Sequence, residues 1–191
     1  MEEVIYEYVT LSDVDTSKEN VVIVKGYANR YKWEGAVEID SYSTTFVPTA
    51  YDLTSYKLNP VILYQHNPDS PIGKCLELKV TDQGLYIEAA IYKDVNEVVF
   101  NAIKNGVLNG FSIGIDIQAD EYSEVLDAWV VTRGELIEIS LVTIPSNTKS
   151  VVEHVDLCEL GTCQVIRKRV NRSKDIDKLM IKQAVKKLLN L

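Results

Sequence analysis

Three short stretches of the chain hold residue types suited to nucleophilic and acid–base chemistry. "VILYQH" ends on His66, one of two histidines, where an apolar run meets the turn-forming "NPDSPIG". "GFSIGIDI" sets Ser112 between Gly110 and Gly114. Phe111, Ile113, Ile115 and Ile117 there alternate with Ser112, Gly114 and Asp116. That two-residue period predicts a strand with one face ready for a core. "RGELIEISLVTIPSN" places Glu138 with Leu136, Ser140, Val142 and Ile144, opposite Ile137, Ile139 and Leu141. A carboxylate on so apolar a face must be hydrogen-bonded, charge-paired or protonated.

A serine hydroxyl is a poor nucleophile near neutral pH. An imidazole within reach takes its proton, and a carboxylate behind the ring fixes the tautomer and stabilises the imidazolium. The strand bearing Glu138 runs into "PSN", so backbone N–H groups at Ser146 and Asn147 are candidates for holding an oxyanion. The loss of one such donor costs about 3 kcal/mol of transition-state stabilisation. Spacing alone does not make these groups converge. Each also has an ordinary reading, as a turn serine, a surface histidine and a paired acid. The three cysteines, Cys75, Cys158 and Cys163, show neither a second pair nor a histidine at zinc-site spacing. No metal site, disulfide framework or cofactor is expected.

The elements that must position these groups are mostly strands. "VVIVKGYAN" (21–29) is β-rich and is expected to end in a glycine turn. "PVILYQ" (60–65) is a short strand opened by a proline, which suits an edge or a strand start. "GKCLELKV" and "GLYIEAAIY" flank the turn-like "TDQG" and predict a hairpin. "EVLDAWVVTRG" and "ELIEISLVTIP" read as two further strands after the one bearing Ser112. "DVNEVVFNAIKNG" predicts a helix, with Asp94 and Glu97 at capping-box spacing, Val95, Val98, Val99 and Ile103 as its stripe, and Gly106 at its end. A shorter helix is expected near "AYDLTSYKL" (50–58).

Length and charge bound the rest. The 191 residues suffice for one well-buried core plus an appendage. No apolar run approaches the roughly 20 residues that span a bilayer. The acidic start "MEEVIYEYVT" lacks the pattern of a signal peptide. The chain carries 20 Lys/Arg and 28 Asp/Glu, yet residues 160–191 hold nine basic and two acidic side chains. Within that tail Ile176, Met180, Ala184 and Leu188 recur at helical spacing beside Ile181 and Val185. This is a basic amphipathic helix, marginal alone, that must pack on something. The expected division is a β-dominated α+β domain over 1–157 and a basic tail over 158–191.

The three chemical segments, in this order, resemble the prohead proteases of tailed bacteriophages of the HK97-like group. The matching elements are a strand leading into a histidine loop ("YQHNPDSPIGK"), a serine strand ("LNGFSIGI") and a strand closing in Pro-Ala/Ser-Asn ("EISLVTIPSN"). The likeness covers residues 21–155. Ser146 stands where the family more often has alanine. That family is related in fold to the herpesvirus assemblins, whose triad is Ser-His-His. The resemblance implies a closed or partly closed, mainly antiparallel β-barrel with flanking helices.

It also implies Ser112 as nucleophile, His66 as general base and Glu138 as orienting acid. The oxyanion backbone would lie around Ser146 and Asn147, and Gly114 would leave room for substrate or imidazole. In the assemblins the third member follows the serine at a spacing close to the 26 residues between Ser112 and Glu138, which favours Glu138 over His154, 42 residues on. Asp116, Asp69 and His154 stay open as alternatives. The implied function is a capsid-maturation serine endopeptidase that cleaves scaffold, or the scaffolding segment of the major capsid protein, and itself, through an acyl-enzyme. It would act in the host cytoplasm inside the assembling procapsid, not secreted. Its implied partners are the procapsid's major capsid protein and scaffold and further copies of itself, with no membrane and no nucleic acid. The competing readings are a non-catalytic assembly protein that kept the fold and an unrelated serine esterase. The second conflicts with a serine that enters a strand and not a strand-to-helix turn.

Overall fold

The near-continuous apolar run after Asn20 forms β2 (Val21–Arg30), paired on both edges and buried along almost its whole length because Val22, Val24 and Ala28 pack in the main core while Val21 and Ile23 pack with Ala90, Leu76 and Tyr92 in a second cluster. Its partners are β9 (Gly84–Tyr92) and β12 (Val152–Glu159), both antiparallel. Gly26 lies within this strand and not in a turn. A Cβ there would fall 2.1 Å from the Val151 carbonyl oxygen, so the two backbones approach more closely than any side chain allows.

The computed structural model describes residues 5–10, 20–159 and 162–166, with side chains described over 20–157. Around β2, β7 (Val61–Tyr64) and β8 (Asn67–Thr81) extend the sheet on the β9 side. Beyond β7 come β11 (Ala128–Val142) and then β10 (Gly110–Ser123) at the end of the path. Beyond β12 comes β13 (Thr162–Ile166). The sheet therefore continues past residue 157, and the predicted amphipathic helix over 176–188 lies outside the described residues. β1 (Ile5–Thr10) pairs with β8. β5 (Thr44–Phe46), β6 (Tyr51–Asp52) and β7 line up in parallel along one edge of β11. β3 (Lys32–Trp33) and β4 (Ala36–Val37) form a separate two-stranded ribbon.

The sheet is β-dominated with few helices, but it is not closed into a barrel. Where β10 meets the start of β12 there is an isolated bridge, Gly110 to Val151, and no ladder. Two backbone bonds of 2.8 Å flank it, from Phe111 N to Ser150 O and from Val152 N to Asn109 O.

The predicted hairpin over 73–92 forms, with Thr81 Oγ1 accepting from the N–H groups of Gln83 and Gly84 in its turn. The two strands expected across 124–145 are one strand, β11. Only "EVLD" before it serves as the turn from β10, because a 15-residue strand can serve β10 on one edge and three short strands on the other. The helix α1 (Thr54–Leu58) follows a 3₁₀ turn at Pro48–Ala50. The later helix, α2 (Glu97–Lys104), is capped by Asn96, whose side chain accepts from Val99 N, and not by Asp94. Starting two residues later shifts its inner face to Val99, Phe100 and Ile103 and leaves Val95 and Val98 exposed.

The main core packs Ile62, Ile72, Leu78, Leu85, Ile87 and Ile91 against Phe111, Leu136, Ile139 and Leu141, all fully buried. Full burial of one such side chain contributes about 1.5–3 kcal/mol. Cys75 sits in this core as a reduced thiol, and burial pushes its pKa well above the ordinary range, so it is inert. Among the described residues no helix is long and apolar enough to cross a membrane.

Candidate active site

β11 is the spine of the site. Across it, Ser112 of β10 lies directly opposite Ser140, and Ser140 in turn pairs with Leu63 of β7. The strands carrying Ser112 and leading to His66 thus flank β11 at a separation of roughly 10 Å, two strand spacings. A side chain at the end of β7 reaches Ser112 only if the chain folds back over β11. The turn does this. β7 and β8 join through a two-residue connection, Gln65 and His66, with Tyr64 paired to Asn67. Both central residues have φ of +58°, the left-handed geometry that two-residue hairpins favour.

Neither residue is glycine or asparagine, so the turn is strained and must be held from outside. Gln65 N donates to Leu141 O at 3.0 Å, Gln65 Nε2 to Thr143 Oγ1 at 3.0 Å, and His66 N to Ser140 Oγ at 3.1 Å. Every one of these acceptors belongs to β11 or to Thr143 just after it. Replacing Gln65 by asparagine, which tolerates this region, is expected to stabilise the fold by about 1 kcal/mol when compared in a Thr143→Val background, where the Nε2 bond is already absent. Urea denaturation reads this directly, and a lowered midpoint would show that the turn is not strained. The "NPDSPIG" segment, expected as a loop, is the first part of β8. It pairs irregularly, because the register between β7 and β8 shifts on both sides of Leu63 and leaves residues 68–70 looped out.

The turn brings the imidazole to the carboxylate. His66 Nδ1 and Glu138 Oε1 are 2.6 Å apart, with the histidine side chain 45% exposed and the glutamate side chain 14%. The other carboxylate oxygen, Oε2, accepts from Ser140 Oγ at 2.6 Å. A β-bulge aims Glu138. Gly114 and Ile115 of β10 pair with Glu138 and Leu136, so Ile137 is the extra residue and is 54% exposed. Leu136 therefore sits in the core with Ile139 and Leu141, and not on the face of Glu138 as simple alternation predicts. Gly114 faces the carboxyl directly. A Cβ there would stand 2.7 Å from Glu138 Oε1, so the space this glycine leaves admits the Glu138 side chain.

Ser112, Gly114, His66, Ser146 and Asn147 all line one cleft of about 760 Å³. Among the described residues neither the Ser112 hydroxyl nor His66 Nε2 has a hydrogen-bond partner. Ser112 is 7% exposed and opens to the cleft. The segment after Pro145 is tied down by side chains. Asn147, 6% exposed, donates Nδ2 to the Arg30 carbonyl and accepts Lys149 N at 2.9 Å. Ser150 Oγ accepts from Arg30 N at 3.1 Å. Among the described residues no group accepts from the backbone N–H of Ser146 or Asn147.

The alternative acids lie elsewhere. Asp69 is exposed beyond the turn, Asp116 is exposed on β10 opposite Glu135, and His154 is exposed on β12 opposite Lys25. None of the three lines the cleft. The residue that sequence reasoning passed over is Ser140, although its position two along from Glu138 put it on the same face.

A hydroxyl and an imidazole on one sheet-borne cleft, with a carboxylate bonded behind the imidazole, are the constellation of the serine hydrolases. The chain belongs to the Caudovirus prohead serine protease family, which it matches over residues 8–161. It is 40% identical over 134 residues to a prohead protease of Escherichia phage T5, covering 70% of this chain and 63% of that protein. It is 33% identical over 110 residues to a capsid polyprotein of Pseudomonas phage PAJU2, covering 52% of this chain and 16% of the polyprotein. The chain thus spans less than two thirds of these relatives. Among solved structures, the crystal structure of KSHV protease in complex with a hexapeptide phosphonate inhibitor is similar at a TM-score of 0.44. The sequences are 14% identical, with 72% of this chain and 64% of that chain covered.

Proposed function

We propose that this chain is a prohead-maturation serine endopeptidase with Ser112 as nucleophile, His66 as general base and Glu138 as orienting acid. The observation that carries the reading is the 2.6 Å bond from His66 Nδ1 to Glu138, in a cleft that also presents the Ser112 hydroxyl. With Nδ1 engaged as donor, Nε2 is left unprotonated and takes the Ser112 proton as Oγ attacks the scissile carbonyl. The backbone N–H groups at Ser146 and Asn147 take the oxyanion. Nε2–H then protonates the leaving amine, and a water deprotonated by Nε2 hydrolyses the ester. The name of the relative from phage PAJU2 supports capsid protein as substrate partner. The role fits scaffold or the scaffolding segment of the capsid protein, and the chain itself, as targets within the procapsid. Among the described residues the cleft lining carries Asp40 as its one carboxylate, no lysine or arginine, and the apolar Phe46, Ile115, Ile117 and Ile144, which suits peptide segments that are apolar and not acidic.

The test is intact mass after incubation with an alkyl fluorophosphonate, alone and with the capsid protein of the same phage. A single adduct that peptide mapping places on Ser112, and that Ser112→Ala lacks, is the expected result. An unmodified chain under both conditions would reject the reading.

A further inference from the structure

We infer that Ser140 is a positioning residue that locks the His66 imidazole through a closed ring of hydrogen bonds. The ring has four links, three hydrogen bonds and the carboxylate itself. The His66 backbone N–H donates to Ser140 Oγ at 3.1 Å, and the Ser140 hydroxyl donates to Glu138 Oε2 at 2.6 Å. The Glu138 carboxylate spans its two oxygens, and its Oε1 takes His66 Nδ1 at 2.6 Å. One hydroxyl therefore holds both the main chain and, through the carboxylate, the ring of the same histidine.

Three features make Ser140 more than a buried polar side chain. It is fully buried, so no water stands ready to replace its hydroxyl. It sits at the register position opposite Ser112, so a shift there moves the nucleophile's neighbour and the base together. It also meets the backbone of a residue at φ +58°, where the chain would relax if released. A hydroxyl serves because it both donates and accepts, which the ring requires at this point. Its donation to Oε2 leaves Oε1 as the acceptor for Nδ1–H, which keeps the proton off Nε2.

This inference rests on the serine-protease reading for its kinetic arm, and a spectroscopic arm stands apart from it. Ser140→Ala, Ser140→Cys and Ser140→Thr are compared in the full chain. Cysteine nearly preserves volume and is a weak hydrogen-bonding group, whereas threonine keeps the hydroxyl. The readouts are the downfield Nδ1 proton resonance of His66, distinguished from exposed His154 by nitrogen labelling, and the rate of fluorophosphonate addition to Ser112. Alanine and cysteine are expected to broaden the resonance away and to slow labelling on the order of 100-fold, the cost of a misplaced reacting group. Threonine is expected to retain both. A cysteine variant that keeps resonance and rate would overturn the inference, since Ser140 would then merely fill space. If wild type itself is not labelled, the protease reading fails and the resonance alone decides whether Ser140 locks the ring.

Discussion

Replacing His66 with alanine is expected to slow acylation of Ser112 on the order of 10⁵-fold or more, because serine and base of such a triad act as one unit. The fold should survive. The side chain is 45% exposed, and the main-chain bond from residue 66 to Ser140 Oγ does not depend on it. The loss should therefore come with an unchanged circular dichroism spectrum and a thermal midpoint near that of wild type. Imidazole added to the alanine variant can enter the 760 Å³ cleft and is expected to restore part of the rate. Labelling of His66→Ala at the wild-type rate would show that another group takes the proton. Asp69, Asp116 and His154 are poor substitutes, since none of them lines the cleft.

Glu138→Gln is expected to cost on the order of 10⁴-fold with little change in structure, through the tautomer of the histidine. The amide must serve two neighbours. If its oxygen faces Nδ1 and its NH₂ faces Ser140, the Ser140 hydroxyl hydrogen is left buried without an acceptor, at a cost of about 1–3 kcal/mol. If its NH₂ faces Nδ1 and its oxygen faces Ser140, every bond is made, but Nδ1 must now accept. The second arrangement wins. It moves the imidazole proton to Nε2, the nitrogen that takes the Ser112 proton in the proposed mechanism, and so blocks general-base catalysis. Nitrogen chemical shifts of His66 report the tautomer directly, and a glutamine variant with the wild-type tautomer and rate would remove Glu138 from the mechanism.

Much of this site was legible in the residues. The alternation around Ser112 placed its hydroxyl on the face away from Phe111, and the structure keeps Phe111 fully buried and Ser112 on the cleft. The acid in "LIEIS" was legible because nothing in an apolar strand explains it. Local rules failed where tertiary contacts override them. Gln65 and His66 give no signal for left-handed backbone, since the acceptors that hold them there lie some 75 residues away, on β11 and at Thr143 just after it. "NPDSPIG" carries every mark of a loop and becomes strand because β7 pairs with it. Asp94 and Asn96 both suit a cap, and the choice fell to the residue whose helix buries Phe100. Ser140 was passed over because serine on a strand face needs no explanation until its two partners are seen.

Ile137 has a consequence for how this enzyme class can vary. A strand reads its side chains with a period of two, and one inserted residue is a phase slip. Residues 134–136 follow one phase and residues after Ile137 another. Glu138, Ser140 and Val142 share the later phase, which turns Glu138 and Ser140 to the imidazole, while Leu136 keeps step with the core. The segment bearing Glu138 and Ser140 and the segment bearing Leu136 are therefore written in separate frames. Substitutions in one frame leave the facing of the other untouched, and deleting Ile137 would leave Leu136 and Glu138 as neighbours on the opposite faces they now occupy, whereas straightening the bulge with Ile137 kept in the ladder would turn either Leu136 out of the core or Glu138 away from His66.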